Sequence, residues 1–241
     1  MKLVLDTHSH TIASGHFTTD TVTDLARGAQ KRGLELICIT DHDPAIPGSA
    51  NESYFRNLKY CEPKRLGVRL LYGVEADVMP GGGVGMAEDL LAEMQVIILS
   101  QHPPCFPPKG AEENTAALIS AIRITKADIA GHPDDEKYPL LAEDLVKACA
   151  ETGTAIEMNN ASLTPGGYRG DAAARDCELL RLCRRRGVPV TLGSDSHGAA
   201  HIGDFTYALK LVEEENFPEE LILNTSVEKF IAHLRAHGRR I

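Results

Sequence analysis

Short apolar runs alternate with amphipathic stretches along most of this chain. The runs are rich in valine, isoleucine and leucine and are bounded by polar residues or glycine, a pattern typical of buried strands. We predict seven strands, at Lys2–Asp6, Leu34–Thr40, Arg69–Glu75, Met94–Ser100, Ala127–Gly131, Thr154–Met158 and Val188–Gly193.

The stretches between the runs have the apolar spacing of helices. In the first of them Val22, Leu25, Ala26 and Ala29 share one face, as residues three and four positions apart do on a helix. Several stretches end at a glycine, the residue favoured in the left-handed position after a helix. These glycines are Gly33, Gly153 and Gly187. We predict helices at Asp20–Lys31, Met86–Glu93, Thr115–Ile122, Ala142–Glu151, Asp171–Arg186, Phe205–Glu215 and Val227–Ala236.

Regular alternation of strand and helix predicts a parallel sheet with right-handed crossovers. Seven such units can form either an open doubly wound sheet or a closed barrel. The 241 residues contain no internal repeat and no low-complexity linker, and single α/β barrels commonly have this length. We therefore predict an α/β fold with a single domain, residues 1–241.

Polar residues follow almost every predicted strand, and most of the histidines are among them. In α/β barrels and open parallel sheets, the carboxyl ends of the strands hold ligands and catalytic groups. Residues two apart on a strand point to the same side, so Asp6, His8 and His10 face one way, as do Asp195 and His197. These positions predict a functional site at one edge of the sheet.

Metal binding explains this set of side chains better than acid–base catalysis does. A catalytic acid–base pair needs one or two titrating groups, whereas each metal ion takes three or four protein ligands. Imidazole and carboxylate ligands without thiolate suit zinc, manganese or iron. We predict that two or three ions are bound by His8, His10, His16, His42, Glu75, His102, His132, Asp195 and His197.

Other polar residues near these motifs receive different interpretations. Asp6, Asp41 and Asp43 are predicted to orient the imidazoles from behind, although each also suits a turn or a helix cap. The remaining histidines, His201, His233 and His237, are interpreted as surface residues of a loop and of the last helix.

Composition excludes several classes of protein. The formal charge of −9 argues against broad nucleic-acid binding. No apolar run approaches the roughly 20 residues that span a membrane, and the N-terminus lacks the pattern of a signal peptide. None of the cysteines forms a CxxC pair, which predicts reduced thiols and a cytoplasmic protein.

Six motifs occur in a characteristic order: DTHSHT, ITDHD, GVE, QHP, GHP and GSDSH. With this set, the chain resembles the polymerase and histidinol phosphatase (PHP) superfamily, and within it the small single-domain bacterial phosphatases of the YcdX type. The similarity extends from the first strand to the last helix and includes HPDDEKYP and AIEMNN. The motifs are specific as a set, although any one alone is not.

The resemblance implies a distorted (β/α)7 barrel of the TIM type and a centre of three divalent ions. The ions are usually zinc, sometimes manganese or iron. By this resemblance His8, His10, Glu75 and Asp195 bind one ion. Glu75 bridges to a second ion held with His102 and His132, and a third is held by His16, His42 and His197.

The residues and the resemblance together predict metal-assisted hydrolysis of small phosphate monoesters. A metal-bound water between two ions would attack phosphorus, and Arg169 is the candidate clamp for the phosphate. The expected partner is a small phosphorylated substrate, with no stable nucleic-acid partner, no membrane and, as in many small enzymes of this type, homo-oligomer formation.

Four alternatives remain open at this stage. Histidinol-phosphate phosphatases share the motifs and differ in their pocket loops, and PHP domains also occur as nucleases. Amidohydrolases have similar histidine-rich sites, although no strand end here offers their metal-bridging lysine. The last alternative is a metal-binding module without catalysis.

Overall fold

The computed structural model describes residues 1–241. The strands are β1 (Leu5–Asp6), β2 (Ser9–His10), β3 (Leu36–Ile39), β4 (Lys64–Arg65), β5 (Val68–Tyr72), β6 (Val74–Asp77), β7 (Ile97–Ser100), β8 (Ile129–Ala130), β9 (Ala155–Asn159), β10 (Val190–Gly193) and β11 (Ser196–His197). The α-helices are α1 (Val22–Arg32), α2 (Glu52–Asn57), α3 (Glu88–Leu91), α4 (Ala111–Thr125), α5 (Ala142–Thr152), α6 (Asn160–Leu163), α7 (Ala172–Arg186), α8 (Thr206–Glu214) and α9 (Val227–Ala236). Short 3-10 helices occupy Ile12–Ser14, Leu58–Tyr60, Glu219–Leu221 and Leu223–Thr225.

The strands form a distorted parallel barrel in two main sheets. One sheet has the order β1-β3-β5-β4, the other has β10-β9-β8-β7-β6, and the short strands β2 and β11 pair with each other. Every pairing is parallel except that of the edge hairpin β4–β5. A single parallel bridge between His42 and Glu75 joins the two main sheets. The α/β fold and the TIM-like barrel predicted from the sequence are confirmed.

One predicted strand, Arg69–Glu75, is divided in the structure at Gly73. The amide of Gly73 donates to Ile39 O at 2.9 Å, and the amide of Val74 donates to Val96 O at 3.0 Å. A Cβ atom at position 73 would lie 2.2 Å from Val96 O, so only glycine allows this close approach. The chain changes sheets at Gly73, and this step places Glu75 in the second sheet.

Between β1 and β10 the barrel is closed by a side chain. Asn224 is fully buried, and its Nδ2 donates to Leu5 O at 3.0 Å and to Leu192 O at 2.8 Å. Its Oδ1 accepts from the Leu192 amide at 2.7 Å. The backbone carbonyl of Asn224 accepts from the backbone amide of Val4 at 2.9 Å. Asn224 therefore supplies hydrogen bonds that a strand pair would otherwise make.

Apolar side chains fill the amino-terminal end of the barrel. Leu36 and Cys38 on β3 belong to an interior cluster with Phe230 of α9, whereas Ile37 and Ile39 face the surrounding helices. This alternation follows from the two-residue period of a strand. Because α9 closes the amino-terminal end, the polar side chains collect at the opposite, carboxyl end.

The predicted helices are all present, with small differences at their ends. The helices α2 and α6 were not predicted, because each is short and has few apolar residues to show a period. The predicted left-handed glycines after α1, α5 and α7 have φ of 73°, 81° and 68°. No helix is long and apolar enough to cross a bilayer, and all cysteines are free thiols.

The interpretation of the C-terminal histidines as surface residues is wrong. His233 Nε2 contacts Asp128 O at 2.9 Å, and His237 Nδ1 contacts His233 O at 3.0 Å. The side chain of His237 is only 5% exposed, because this face of α9 packs under the barrel. His201 is exposed, as predicted.

Candidate metal centre

The side chains predicted as metal ligands lie together at the carboxyl end of the barrel. His10 and His197 are paired residues of β2 and β11, and Glu75 is on β6. His16 lies beyond the first 3-10 helix, and the other predicted ligands follow strands. These are His8, His42, His102, His132 and Asp195.

Glu75 occupies the middle of the group, and its two oxygens face different histidines. Oε1 lies 2.9 Å from His132 Nε2 and 3.6 Å from His102 Nε2. Oε2 lies 3.4 Å from His8 Nε2, and two further ring nitrogens are close to it. These are His10 Nε2 at 3.5 Å and His42 Nδ1 at 2.9 Å. A carboxylate that faces histidines through both oxygens can bridge two ions.

Asp195 is the second carboxylate of the centre, and its two oxygens also contact different groups. Its Oδ1 lies 3.2 Å from His10 Nε2 and 3.7 Å from His8 Nε2. Its Oδ2 accepts a hydrogen bond from Arg169 Nη2 at 2.8 Å. Asp195 therefore joins the histidines of the first strand to the arginine that the sequence singled out.

His16 lies at the open side of the group. Its ring centroid is 5.0 Å from that of His42 and 5.0 Å from that of His197. The rings of His10 and His42 are stacked at 4.5 Å. The structure thus brings all the predicted histidine ligands into one continuous set of neighbouring rings.

Several buried ring nitrogens of this set have no hydrogen-bond partner: His8 Nε2, His10 Nε2, His42 Nδ1 and His197 Nε2. His42 Nδ1 is close to Glu75, but the contact lacks hydrogen-bond geometry. A buried polar atom without a partner costs free energy, and a neutral imidazole nitrogen is the commonest metal ligand in proteins. The side chains present therefore fit divalent ions of the zinc type.

Three sets of three donors have their ligand atoms within 4.8 Å of one another. Because each set shares a residue with another, the sets describe one connected centre rather than isolated sites. The sets are His10–His42–His197, His8–His10–Glu75 and His42–Glu75–His102.

Three of the histidines contact a carboxylate or a hydroxyl group through Nδ1, on the side of the ring away from the centre. The Nδ1 atoms of His8 and His102 each lie 2.8 Å from a carboxylate, that of Glu157 and that of Asp77. His10 Nδ1 lies 3.0 Å from Ser14 Oγ, whose hydroxyl donates to Asp41 at 2.7 Å. Each contact assigns the N–H to Nδ1 and leaves Nε2 free to bind a metal.

Glu157 and Asp77 were not predicted as partners of the histidines. Two signals could have found them: Glu157 is the only acid in an apolar strand, and Asp77 lies two residues after Glu75, hence on the same face. Of the three aspartates predicted to orient imidazoles, only Asp41 does so. The other two accept hydrogen bonds from backbone amides, Asp6 from Ser194 and Gly203, and Asp43 from Ala45 and Asp77.

The electrostatics keep both central carboxylates ionised. Burial alone would raise the pKa of Glu75, but His8 and the histidines around it hold that pKa well below its usual range. Burial likewise opposes ionisation of Asp195, whereas His8 and Arg169 lower its pKa well below the ordinary value. Burial, with His197 and His42 nearby, lowers the pKa of His10.

Against the effect of burial, Glu157 and Glu75 raise the pKa of His8 well above its ordinary value, and Glu75 and Asp77 raise that of His102 to about 9. A divalent ion bound here would therefore replace protons on these two rings, because only ionised carboxylates and neutral imidazoles bind metals.

Two of the predicted ligands have backbone conformations that are unusual outside glycine. His132 has a φ of 24° and Asp195 a φ of 51°. Such conformations persist where surrounding contacts impose them, and they concentrate at functional sites. The amide of His132 donates to Glu157 Oε2 at 2.9 Å, so the same carboxylate that orients His8 also holds His132.

A cleft of about 420 Å³ opens onto this group. Arg169 lines it, although only 2% of the residue is exposed. Besides contacting Asp195, its guanidinium donates from Nη1 to Asn159 Oδ1 and to Ser162 Oγ, both at 3.2 Å. Arg169 thus lies in the wall of the cleft, where its role as a phosphate clamp stays a prediction.

Comparison with known proteins places the chain in a family. The PHP domain model matches residues 6–161. A probable phosphatase from Caldanaerobacter subterraneus subsp. tengcongensis is 43% identical over 100% of this chain and 94% of its own length. One from Acetivibrio thermocellus is 40% identical over 100% of this chain and 99% of its own length. The chain belongs to the PHP domain family, which confirms the resemblance seen in the sequence.

Solved structures agree on the fold. Histidinol phosphate phosphatase from Lactococcus lactis, complexed with zinc, L-histidinol and phosphate, has a TM-score of 0.66 and 20% identity. The alignment covers 89% of this chain and 94% of that one. A dihydroorotase has a TM-score of 0.54 at 12% identity, over 96% of this chain and 70% of its own. At these identities the likeness shows a shared barrel and nothing about the reaction.

Proposed function

We propose that this chain is a metal-dependent phosphatase that hydrolyses small phosphate monoesters at a centre of three divalent ions, with zinc as the first candidate and manganese or iron as alternatives. The observation that carries the proposal is the set of buried imidazole nitrogens that lack hydrogen bonds and face Glu75 and Asp195. The curated relatives are named probable phosphatases, in agreement with the class of enzyme predicted from the sequence. Their alignment over the whole chain supports residues 1–241 as one functional unit.

The two oxygens of Glu75 suggest how the ligands divide among the ions. His102 and His132 face Oε1. His8 and His10 face Oε2, and His10 also faces Asp195. His16 and His197 lie on the far side, with His42 between them and Glu75. We assign one ion to His8, His10, Glu75 and Asp195, a second to Glu75, His102 and His132, and a third to His16, His42 and His197.

Divalent ions held there would polarise the phosphate and make water nucleophilic at neutral pH. The chain's own residues do the rest. Glu157 and Asp77 hold His8 and His102 in the orientation that presents Nε2 to the centre. Arg169 orients Asp195 and places a permanent positive charge beside the cleft, where it favours an anionic phosphoryl group.

The proposal is tested by elemental analysis of the purified protein together with a phosphate-ester screen that includes histidinol phosphate. Glu75→Gln and His42→Ala should lower bound metal and turnover together, because each removes a donor from the centre. Glu113→Gln, at an exposed position on α4, is the matched control and should change neither.

Each alternative activity has its own outcome in this experiment. Full metal occupancy and normal turnover in both centre variants would contradict the assignment of these ligands. Metal-loaded protein that hydrolyses no ester would indicate a metal-binding module. Turnover of single-stranded DNA, or of an amide or lactone, in place of phosphate monoesters would indicate a nuclease or an amidohydrolase.

A further inference from the structure

Two exposed aromatic rings stand at the mouth of the metal cleft. Phe17 is 82% exposed and Tyr168 is 64% exposed, and both line the cleft. Together with the exposed prolines that line the same cleft, Pro47, Pro103 and Pro104, they form an apolar rim, and contiguous exposed apolar surface often marks a binding site. Neither ring contributes to the barrel core, so packing of the fold does not explain their positions.

The ring of Phe17 is held in place by two histidine rings of the proposed metal centre. It makes edge contacts with His16 at 4.8 Å and with His197 at 5.5 Å, measured between ring centroids. Its backbone has a φ of 59°, a conformation that is costly for a bulky residue and persists where function or packing requires it. Phe17 is thus fixed against two proposed ligands of one metal ion while most of its ring faces the cleft.

Tyr168 stands on the side of the cleft that contains Arg169. The Arg169 guanidinium carbon lies 4.8 Å from its ring centroid, and the same guanidinium contacts Asp195. The two aromatic rings therefore lie beside different members of the site, Phe17 beside His16 and His197 and Tyr168 beside Arg169. Much of the remaining outer wall is apolar, formed by Ile46, Pro47, Pro103 and Pro104.

The charged groups that line the cleft already have partners within the protein or are assigned to the metal centre. Asp195 and Arg169 are paired with each other at 2.8 Å, and the other side chains of the lining that can carry a charge near neutral pH are the histidines assigned to the metal centre. Lys137, near Tyr168, donates to the Tyr168 carbonyl at 2.9 Å. No carboxylate of the cleft is therefore free to pair with an ammonium group on a substrate.

We infer that the substrate carries an uncharged ring on the alcohol side of its phosphate ester, and that this ring packs against Phe17 at the mouth of the cleft. The inference rests on the proposed function and names the substrate class of the same site. A ring placed there gains apolar burial and aromatic contact, whereas an alcohol with an ammonium group would find no unpaired carboxylate in the cleft to offset its lost hydration.

The first test compares benzyl phosphate with n-propyl phosphate, whose alcohols are similar leaving groups, on the metal-loaded enzyme. We expect kcat/KM to favour benzyl phosphate by about tenfold or more, as one well-packed ring would give. In Phe17→Ala the benzyl-to-propyl ratio should fall by about tenfold. Phe17→Leu keeps apolar volume at the same strained position without the ring, and its ratio should fall between the two.

The control variant is Tyr60→Ala, which removes a 78% exposed ring that does not line the cleft. It should leave the ratio unchanged. A second readout that needs no turnover is calorimetric binding of benzylphosphonate and propylphosphonate to the zinc-loaded protein. The Kd for benzylphosphonate should rise in Phe17→Ala more than that for propylphosphonate.

The outcomes separate this inference from the proposed function. Turnover of both esters, with the same ratio in wild type and Phe17→Ala, would overturn the ring site and leave the phosphatase standing. Turnover of 2-aminoethyl phosphate as fast as that of benzyl phosphate would overturn the exclusion of charged alcohols. No turnover of any phosphate ester by metal-loaded protein would overturn the proposed function, and this inference with it.

Discussion

Glu157 shows how far a single buried carboxylate can influence several predicted metal ligands. One oxygen contacts His8 Nδ1 and the other accepts from the amide of His132 and from Asn159 Nδ2. Burial opposes ionisation of Glu157, but His8 keeps its pKa below the ordinary value. Glu157 therefore holds parts of two strands in one geometry without itself facing the cleft.

We expect Glu157→Gln to weaken metal binding by about 10- to 100-fold, the usual effect of removing such a supporting partner. Glutamine keeps the volume but replaces one acceptor oxygen with an NH2 group, which cannot accept from His8 or His132. The measurement is metal affinity by competition with a chromophoric chelator. Glu151→Gln, whose carboxylate is exposed on α5, is the control. An unchanged affinity in Glu157→Gln would show that His8 is oriented by the barrel alone.

At the residue scale, the sequence predicts the proposed metal ligands better than the residues that orient those ligands. His8, His42 and the other candidates follow strands, and that position alone indicates the edge of the sheet where they meet. Contacts such as that between His8 and Glu157 depend on how β9 is offset against β1 across the barrel, which no local pattern encodes. The pairing of Arg169 with Asp195 is equally hidden, because it joins two separate loops.

Among the secondary-structure elements, the seam between β1 and β10 is the least regular part of the barrel. A parallel Val190–Ile222 bridge and the side chain of Asn224 take the place of a continuous strand pair. Above this seam, β2 pairs with β11 and aligns His10 with His197. Closure of the barrel and alignment of these two histidines therefore occur at neighbouring points of the same seam.

Replacing Asn224 with leucine should destabilise the protein by about 3 kcal/mol, because three buried backbone groups lose their partner at once. The free energy of unfolding in urea is the measurement. Asn57→Leu, at an exposed position, should stay within about 0.5 kcal/mol of wild type. A loss in Asn224→Leu no larger than that of the control would mean that water or a strand shift replaces the hydrogen bonds of the amide.

The hydrophobic pattern predicts most of the strands and helices. Where the observed elements differ from the predicted ones, the difference has a physical cause. Most of the predicted strands are longer than the observed ones because apolar runs continue beyond the paired residues. The division at Gly73 was not predicted, since it depends on contact with Val96, the residue just before β7. The strands β2 and β11 lie in polar stretches that resemble loops, so their pairing is visible only in the structure.

For the molecule as a whole, the two ends of the barrel have opposite character. The carboxyl end contains the polar centre, and the amino-terminal end is covered by α9 and the residues after it. There Arg239 Nε contacts Asp128 at 2.8 Å, and His233 contacts the Asp128 carbonyl. Burial raises the pKa of Asp128 to about 6 and lowers that of His233 to about 4.

These two groups make opposite contributions to stability in mild acid. Between its ordinary pKa of about 6.5 and about 4, His233 binds a proton in the unfolded chain but not in the folded one, so stability falls as the pH falls. Asp128 binds its proton first in the folded protein, so its contribution rises as the pH falls from about 6 to 3.8. The effect of His233 is therefore best seen by comparison with a variant.

We expect His233→Gln to gain about 2 kcal/mol relative to wild type between pH 7 and pH 5, because glutamine can still donate to Asp128 O and does not titrate. Urea unfolding at both pH values, with chelator present throughout, measures the difference. His201→Gln, at an exposed position, should follow wild type. Parallel pH dependence of His233→Gln and wild type would show that His233 is not neutral in the folded protein.

The seam at Asn224 also has a consequence for the order of events during synthesis. His8 and His10 are made before the other predicted ligands, but β1, the strand just before them, lacks its hydrogen-bonded link to β10 until the chain has been made as far as residue 224. Until then the nascent protein exposes an unpaired strand edge beside these imidazoles, although the last predicted ligand, His197, has already been made. The first ligands of the metal centre to be synthesised thus belong to a closed barrel only after residue 224 has been made.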